Sequence, residues 1–247
     1  MHQFVCNICN ARCFPEVLDR ELASCDGCGS NVRFRWIVHA LSNNLFGESL
    51  PLSKFLTRKP VIGIGMSDFL PIARVLSKRF TYTNTCYHRA PRFDIMNPPS
   101  EPQHDFIVAS EVFEHVQPPV QRAFDNLFRL LKPGGFAVFS SPYELDGETV
   151  EHFPSLHDSS LVQLRSGCVL VNRTAEGRLE TFENLDFHGG PGSVLEMRVF
   201  SKPGLLANCA AAGFEVEIAE DFPDFGIVWE AWSRGLVLRR PNCPPPA

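Results

Sequence analysis

From Lys59 onward, apolar runs of strand length alternate with segments of helical spacing, and this alternation limits the fold more than any other feature of the chain. Val61–Ile64 is a short apolar run ending at Gly65. Ile72, Val75 and Leu76 then recur at helical spacing through Arg79, and Phe80–Thr85 and His104–Ser110 read as further strands. Val120, Phe124, Leu127 and Leu131 mark a helix stopped by Pro133-Gly134-Gly135, with Phe136–Ser140 as the next strand. A later helix starts at Ser201-Lys202-Pro203, with Ser as cap and Pro in the first turn, and ends at Gly213. Phe214–Ile218 and Gly235–Arg239 complete the strands. A crossover helix returns the chain to the same end of the sheet, so this order predicts an α/β fold with a parallel sheet covered by helices on both faces.

Two regions depart from the rhythm. Residues 144–200 form too long a stretch for a plain connection. They contain a hairpin pattern, Cys168–Asn172 and Leu179–Phe182 around Ala175-Glu176-Gly177. They also hold His152, His157, His188, Gly189, Gly190 and Gly192, and read as a substrate-side insertion in a domain spanning 59–240. Residues 1–32 are rich in Cys, Gly and Asn and carry too few apolar residues to form a core alone. Residues 33–58 connect the two parts through a helix over 32–46: Phe34, Ile37, Val38, Leu41 and Leu45 share one face, Ser30 or Asn31 caps the start, and Gly47 ends it. The tail, 241–247, is Pro-rich and expected to be disordered.

Cys6-x-x-Cys9 and Cys25-x-x-Cys28 lie fifteen residues apart. Each pair folds into a tight turn presenting two sulfurs to one point, and two such turns complete a tetrahedral thiolate site for Zn2+, a zinc ribbon or knuckle. Asp26-Gly27 and Gly29 supply the turn residues. A redox dithiol is the alternative, but it needs only one pair. Four thiolates leave no open coordination position, so the zinc is expected to be structural. Cys13 reads as a bystander, Arg33 and Arg35 as a solvated helix face, and Trp36 as a packing aromatic.

Composition narrows the function classes. The formal net charge of −5, with scattered basic residues, argues against a nucleic-acid partner. There is no run of 18 apolar residues, so no membrane span is expected. The N-terminus lacks the charged head and apolar run of a secretory signal. Nine cysteines in that setting indicate a reducing compartment, the cytoplasm.

Four segments carry a resemblance. Val61-Ile-Gly63-Ile64-Gly65-Met66-Ser67-Asp68 closes the first strand; Thr83-Asn84-Thr85 closes the second; Arg92-Phe-Asp94-Ile95 follows. The fourth is His104-Asp-Phe-Ile-Val-Ala-Ser110-Glu111-Val112-Phe-Glu114-His115-Val, followed by Leu131-Lys-Pro-Gly-Gly135. Over roughly 59–240 this order resembles the class I S-adenosylmethionine-dependent methyltransferases, and in particular the branch containing ubiquinone-biosynthesis methyltransferases. The resemblance implies a Rossmann-like sheet, mostly parallel, of seven strands with the last antiparallel, and S-adenosyl-L-methionine as cofactor. It implies that residues 63–68 approach the cofactor's amino-acid end, with Gly63 where the family usually has an acid and Ser67 where it usually has a glycine. Asn84 and Thr85 would meet the ribose, and Asp94 and Ile95 the adenine, although an Asp in such a loop equally caps a turn. Ser110, Glu111, Val112 and His115 would line the crevice at the strand ends. Independently of the family, Asp68, Asp94, Glu111 and Glu114 all fall at predicted strand ends, and an anionic crevice would favour a sulfonium cation over a phosphate-bearing dinucleotide.

Methyl transfer to oxygen needs an acceptor held in line and a base for its proton. His115, His152, His157 and Tyr143 are the candidates. Glu151-His152 and His157-Asp158 resemble segments of methyltransferases tied to sugar or glycan clusters and of zinc-module sugar C-methyltransferases. The expected function is methyl transfer to a small-molecule or glycan acceptor, through oxygen. Two alternatives stand beside it: a ribosomal RNA methyltransferase that grips RNA with its zinc module, and a catalytically inactive relative serving as a zinc-dependent binding protein.

Overall fold

A computed structural model describes residues 2–101, 103–188, 194–229 and 233–242. Gly189, Gly190 and Gly192 of the insertion, and residues 243–247 of the tail, lie outside the described residues.

The alternation folds as its pattern predicts. Two short N-terminal strands, β1 (Phe4–Val5) and β2 (Arg12–Cys13), pair antiparallel. Helix α1 (Val32–Phe46) is capped by the Asn31 side chain, which accepts from the Phe34 amide at 2.8 Å, and Gly47 ends it in the left-handed region. Then come β3 (Ile62–Met66), α2 (Leu70–Arg79), β4 (Thr81–Thr85), β5 (His104–Ser110), α3 (Gln121–Leu130) and β6 (Leu131–Ser140). After the insertion, α4 (Lys202–Ala212) is capped by Ser201, whose oxygen accepts from the Gly204 amide.

The insertion supplies short strands that form three small sheets. Strands β7 (Tyr143–Glu144) and β8 (Val150–Glu151) flank the later strand β14 (Arg198–Ser201). The predicted hairpin is β10 (Gly167–Arg173) with β11 (Leu179–Phe182), and β9 (Asp158–Leu164) extends it to three strands. Strands β12 (Phe187–His188) and β13 (Val194–Leu195) form a second ribbon.

With β15 (Glu215–Ile218) and β16 (Leu236–Arg239), the central sheet has the order β15-β16-β6-β5-β3-β4. Strands β4, β3, β5 and β6 are mutually parallel, and β16 runs antiparallel to both its neighbours. The last strand is antiparallel, as expected. Among the described residues, however, the sheet has six strands, not seven. The edge beyond β4 carries only an isolated bridge, Cys86 to Arg92. The sequence from β4 to β5 holds Pro91, Pro98, Pro99 and Pro102, which cannot donate to a ladder.

Alternation in β5 and β6 divides the core. Phe106, Val108, Phe136 and Val138 face α1, α2 and the N-terminal residues. Ile107, Ala109, Ala137 and Phe139 face α3 and α4. The N-terminal residues Phe4, Cys6, Ile8, Cys13, Leu18 and Cys25 share the first of these cores with Trp36 and Trp229. Arg35 is fully buried and donates to the carbonyls of Ser30 and Gly226. The solvated-face reading of Arg33 and Arg35 is therefore incorrect: both are buried because the first turns of α1 pack between the cysteine region and the sheet. Trp36 does pack, edge-on to Trp229 at 5.8 Å.

Candidate active site

The four paired cysteines converge. Sγ separations are 3.7 Å for Cys6–Cys28, 3.5 Å for Cys9–Cys25 and 3.7 Å for Cys25–Cys28. Sulfurs at the corners of a tetrahedral zinc site, with bonds of about 2.3 Å, stand roughly 3.8 Å apart, so this donor set fits the ion. Cys13 is not one of the four, its thiol directed to the Ala11 carbonyl at 3.6 Å beside the Cys25 sulfur.

At the carboxyl ends of β3 and β4, the loop residues are held by one another. Asn84 accepts from the Asp68 amide at 2.9 Å and donates to the Asp68 carbonyl at 3.1 Å. Thr85 donates to the Gly65 carbonyl at 2.7 Å. Tyr82 donates its hydroxyl to the Asp68 carboxylate. Burial pushes the Asp68 carboxyl up to about 7, against the opposing pull of that hydrogen bond. Ser67, at the usual glycine position, has φ 64°, so the backbone there still takes the left-handed form that glycine suits.

The glycines make room for the protein's own side chains. A Cβ at Gly63 would fall inside the Phe106 ring, and one at Gly65 would meet Asp68 and the Tyr82 hydroxyl. Ile64 and Met66 point into the opposite core. Asp94 caps its own turn, accepting from the Met96 amide at 2.9 Å and the Asn97 side chain at 3.0 Å, with Ile95 buried beside it.

At the end of β5 the N-terminal region enters the crevice. Arg20 donates to both oxygens of Glu111, at 2.5 and 3.1 Å. Arg33 donates to Ser110 Oγ at 2.6 Å and to Glu21, and its Nε stands 3.8 Å from Glu111. Ser140 donates to Glu111 at 2.8 Å. Although burial raises an acid, the guanidinium charges hold the Glu111 carboxyl below the usual range. Glu111 has φ 56°, a strained value for a side-chain-bearing residue and a common mark of functional positions.

The cavity that remains between Arg33, Phe34, Ser67, Asp68, Phe69 and Ser110 is about 20 Å³, room for little more than one water. Phe34 stacks on Phe69 at 4.2 Å across it. The anionic crevice inferred from sequence is thus not present: Glu111 is neutralised by Arg20 and Arg33, and Asp94 is spent on a turn. Neither arginine lies near Glu111 in sequence, so pattern alone gave no sign of the pairing.

The other side of the β5 end is arranged differently. Residues Phe113–His115 form a single 3-10 turn over which the insertion closes, with the Met197 amide donating to the Glu114 carbonyl at 2.7 Å. Arg198, fully buried, clamps this closure by donating to Glu151 at 2.6 and 3.1 Å and to the Phe113 carbonyl. Glu114 accepts from Ser141 at 2.8 Å, and its other oxygen, Oε1, has no partner among the described residues. Burial, reinforced by the Glu111 charge, raises the Glu114 carboxyl to about 8.

His115 donates from Nδ1 to the Leu195 carbonyl at 3.0 Å, and burial lowers the basicity of its ring. Glu196 bridges two further histidines, reaching His152 at 3.2 Å and His188 at 3.0 Å. His152 and Glu196 also line a cavity of about 200 Å³ with Phe153, Phe182, Leu185 and Asp186.

Of the predicted catalytic residues, the structure brings His115 and His152 into one network. His157 stays apart, exposed at the start of β9, with its amide on Asn172. Tyr143 is buried and accepts from the Arg234 amide at 2.8 Å. Val112, partly buried, packs into the core beside α3. Arg20, Arg33 and Glu196 were not singled out from sequence as site residues. Each is brought to the site by a tertiary contact that no local pattern marks.

Comparison with known proteins agrees with this fold. The methyltransferase domain family matches residues 53–217. No curated protein matches the chain. A sugar N-methyltransferase from a Streptoalloteichus species is 14% identical, with a TM-score of 0.50 over 92% of this chain and 97% of that one. An amino pentose methyltransferase from Micromonospora echinaspora, solved with S-adenosylmethionine, is 13% identical, with a TM-score of 0.46 over 84% and 90%. A didemethyltoxoflavin N1-methyltransferase from Burkholderia thailandensis is 15% identical, with a TM-score of 0.45 over 83% and 77%. With the family matched over about two thirds of its length and the Rossmann-like sheet in place, the chain belongs to the methyltransferase domain family.

Proposed function

We propose that this protein is an S-adenosylmethionine-dependent methyltransferase that acts on a small-molecule or sugar acceptor through oxygen. The observation that carries the reading is the family match over 53–217, which includes every strand end of the crevice. The sugar N-methyltransferase likeness supports the fold on which such acceptors are handled. In the reaction, the cofactor supplies a methyl already activated as a sulfonium. The acceptor oxygen attacks the methyl carbon, the carbon–sulfur bond breaks with its electrons passing to sulfur, and a base takes the acceptor proton.

His152 is the base we assign. Its Nε2–H is held by Glu196 at 3.2 Å, which leaves Nδ1 to take a proton at the wall of the 200 Å³ cavity. The remaining residues position. Residues 63–68, Asn84, Thr85, Asp94, Ile95 and Ser110–Val112 frame the cofactor side. The four-cysteine cluster holds a structural zinc, which suits the reducing cytoplasm. No helix among the described residues is long and apolar enough to cross a membrane.

Titration of the purified protein with S-adenosylmethionine and its demethylated product tests the reading. Micromolar binding, about −8 kcal/mol, is the expected result. Failure to bind either would favour the second reading, a methyltransferase-like binding protein, which the filling of the cofactor side by Arg33 and Phe34 keeps in view. An RNA-gripping module gains nothing from the structure: Arg20, Arg33 and Arg35 are turned inward.

A further inference from the structure

Ligand atoms of Glu114, His115 and His188 lie within 4.8 Å of one another. Their surroundings distinguish them from an ordinary polar cluster. The His115 Nδ1–H is committed to the Leu195 carbonyl, so Nε2 carries the lone pair. That lone pair faces Glu114 Oε1 at 3.7 Å, too far for a hydrogen bond. Glu114 is 1% exposed, and Oε1 is the orphaned oxygen of a carboxylate whose partner oxygen is held by Ser141. The lone pair and Oε1 therefore face one another in a buried place without a hydrogen bond, an arrangement that costs free energy until a cation fills it.

The third member is held ready as well. His188 stands edge-on to His115 with centroids 4.6 Å apart, and Glu196 fixes its Nε2 at 3.0 Å. An imidazole anchored through its second nitrogen by a carbonyl or carboxylate is the usual outer arrangement of a metal ligand, and His115, with Nδ1 on the Leu195 carbonyl, has it. The insertion supplies His188 and the Leu195 carbonyl, while the end of β5 supplies Glu114 and His115. Neither half makes the cluster alone.

We propose that Glu114, His115 and His188 form a binding site for a divalent transition metal ion, separate from the cysteine cluster, at the seam between the sheet and the insertion. Two imidazoles and one carboxylate suit Mn2+, Fe2+, Co2+ or Zn2+ and leave coordination positions open. Metal–nitrogen bonds of about 2.0–2.1 Å require the three side chains to close inward by roughly an ångström. His188, 45% exposed in its side chain, is the member with room to move. An oxygen acceptor could take the open positions, but metal binding itself does not depend on the methyl-transfer reading.

Mn2+ is the probe, because a hard cation has little affinity for four thiolates. The zinc-loaded protein, without cofactor or acceptor, is titrated with Mn2+ and bound ion is read by electron paramagnetic resonance. The expected result is one Mn2+ per chain, displaced by Co2+ with the weak visible spectrum of nitrogen and oxygen ligands. His188→Ala and Glu114→Gln should each weaken binding at least tenfold while zinc content stays at one per chain. His188→Ala keeps the test valid should the buried Glu114 variant fail to fold. Absence of a second ion with either Mn2+ or Co2+, or equal affinity in His188→Ala, would overturn the site. Either result is independent of whether S-adenosylmethionine binds.

Discussion

The two sides of the β5 end hold the same kinds of residues in opposite states. On the cofactor side, Glu111 meets Arg20, Arg33 and Ser140, Asp68 meets Tyr82, and Asn84 is tied to the Asp68 backbone. Little space remains. On the insertion side, three residues later, Glu114 keeps an oxygen unpartnered beside a histidine lone pair, and a larger cavity adjoins the network. A buried charge that is fully paired is explained by the fold. A buried carboxyl that is left half-paired points to a ligand, because the desolvation of its free oxygen is otherwise unreturned.

The first way to break the comparison is at the cysteines. Cys25→Ser should cost the most, because zinc binding in small modules contributes on the order of 10 kcal/mol to folding. Metal analysis and solubility should show loss of zinc and of folded protein together; unchanged metal content would remove the zinc assignment. Next comes the pairing itself. Arg20→Met strands a buried Glu111, and denaturant unfolding should show a loss of about 3–5 kcal/mol. Adding Glu111→Leu should recover most of it, and a recovery of nothing would mean that the pair is not what holds this side closed.

Acidity sharpens the contrast further. The Asp68 carboxyl stands at about 7 in the folded chain, against an ordinary value of 3.8. A raised acid favours the protonated fold, so its contribution is complete below about pH 4 and is lost as pH rises through 7. Each tenfold change in proton affinity is worth about 1.4 kcal/mol, which makes the loss on the order of 4 kcal/mol once the carboxyl is fully ionised. Asp68→Asn should flatten that part of the stability profile; an identical profile would show Asp68 to be an ordinary acid. On the other side, His152→Ala should lower turnover about a hundredfold, as expected for removal of a general base. Cofactor affinity should not change, and full activity would exclude His152 as the base. The smallest effect belongs to Asp94→Ala, about 1 kcal/mol of stability for a lost turn cap. A larger loss in S-adenosylmethionine affinity than in stability would assign Asp94 to the adenine.

Much of the fold was legible because its determinants are local. The Asn31 cap, the Gly47 stop, the Ser201-Lys202-Pro203 start and the apolar period of β5 are written within a few residues. The Cys-x-x-Cys pairs were readable for the same reason. The absence of a seventh strand among the described residues was not, since a strand at a sheet edge depends on whether the neighbouring segment can pair, and the four prolines between β4 and β5 work against it. The site was legible only in part. Glu111, Glu114 and His115 were found because they sit beside a recognisable strand, but Glu196 and Arg20 carry no local pattern.

The sequence by itself determined the order of strands and helices, the pairing of the cysteines and the position of the Glu-Val-Phe-Glu-His segment after β5, because backbone periodicity, caps and turn chemistry act over short distances. The state of each charge was decided by the tertiary structure alone. Whether Glu111 is an anion in a crevice or one half of an ion pair depends on Arg20, 91 positions earlier in the chain. Electrostatic energy follows distance in space and access to water, and neither is encoded in the neighbours of a residue along the chain.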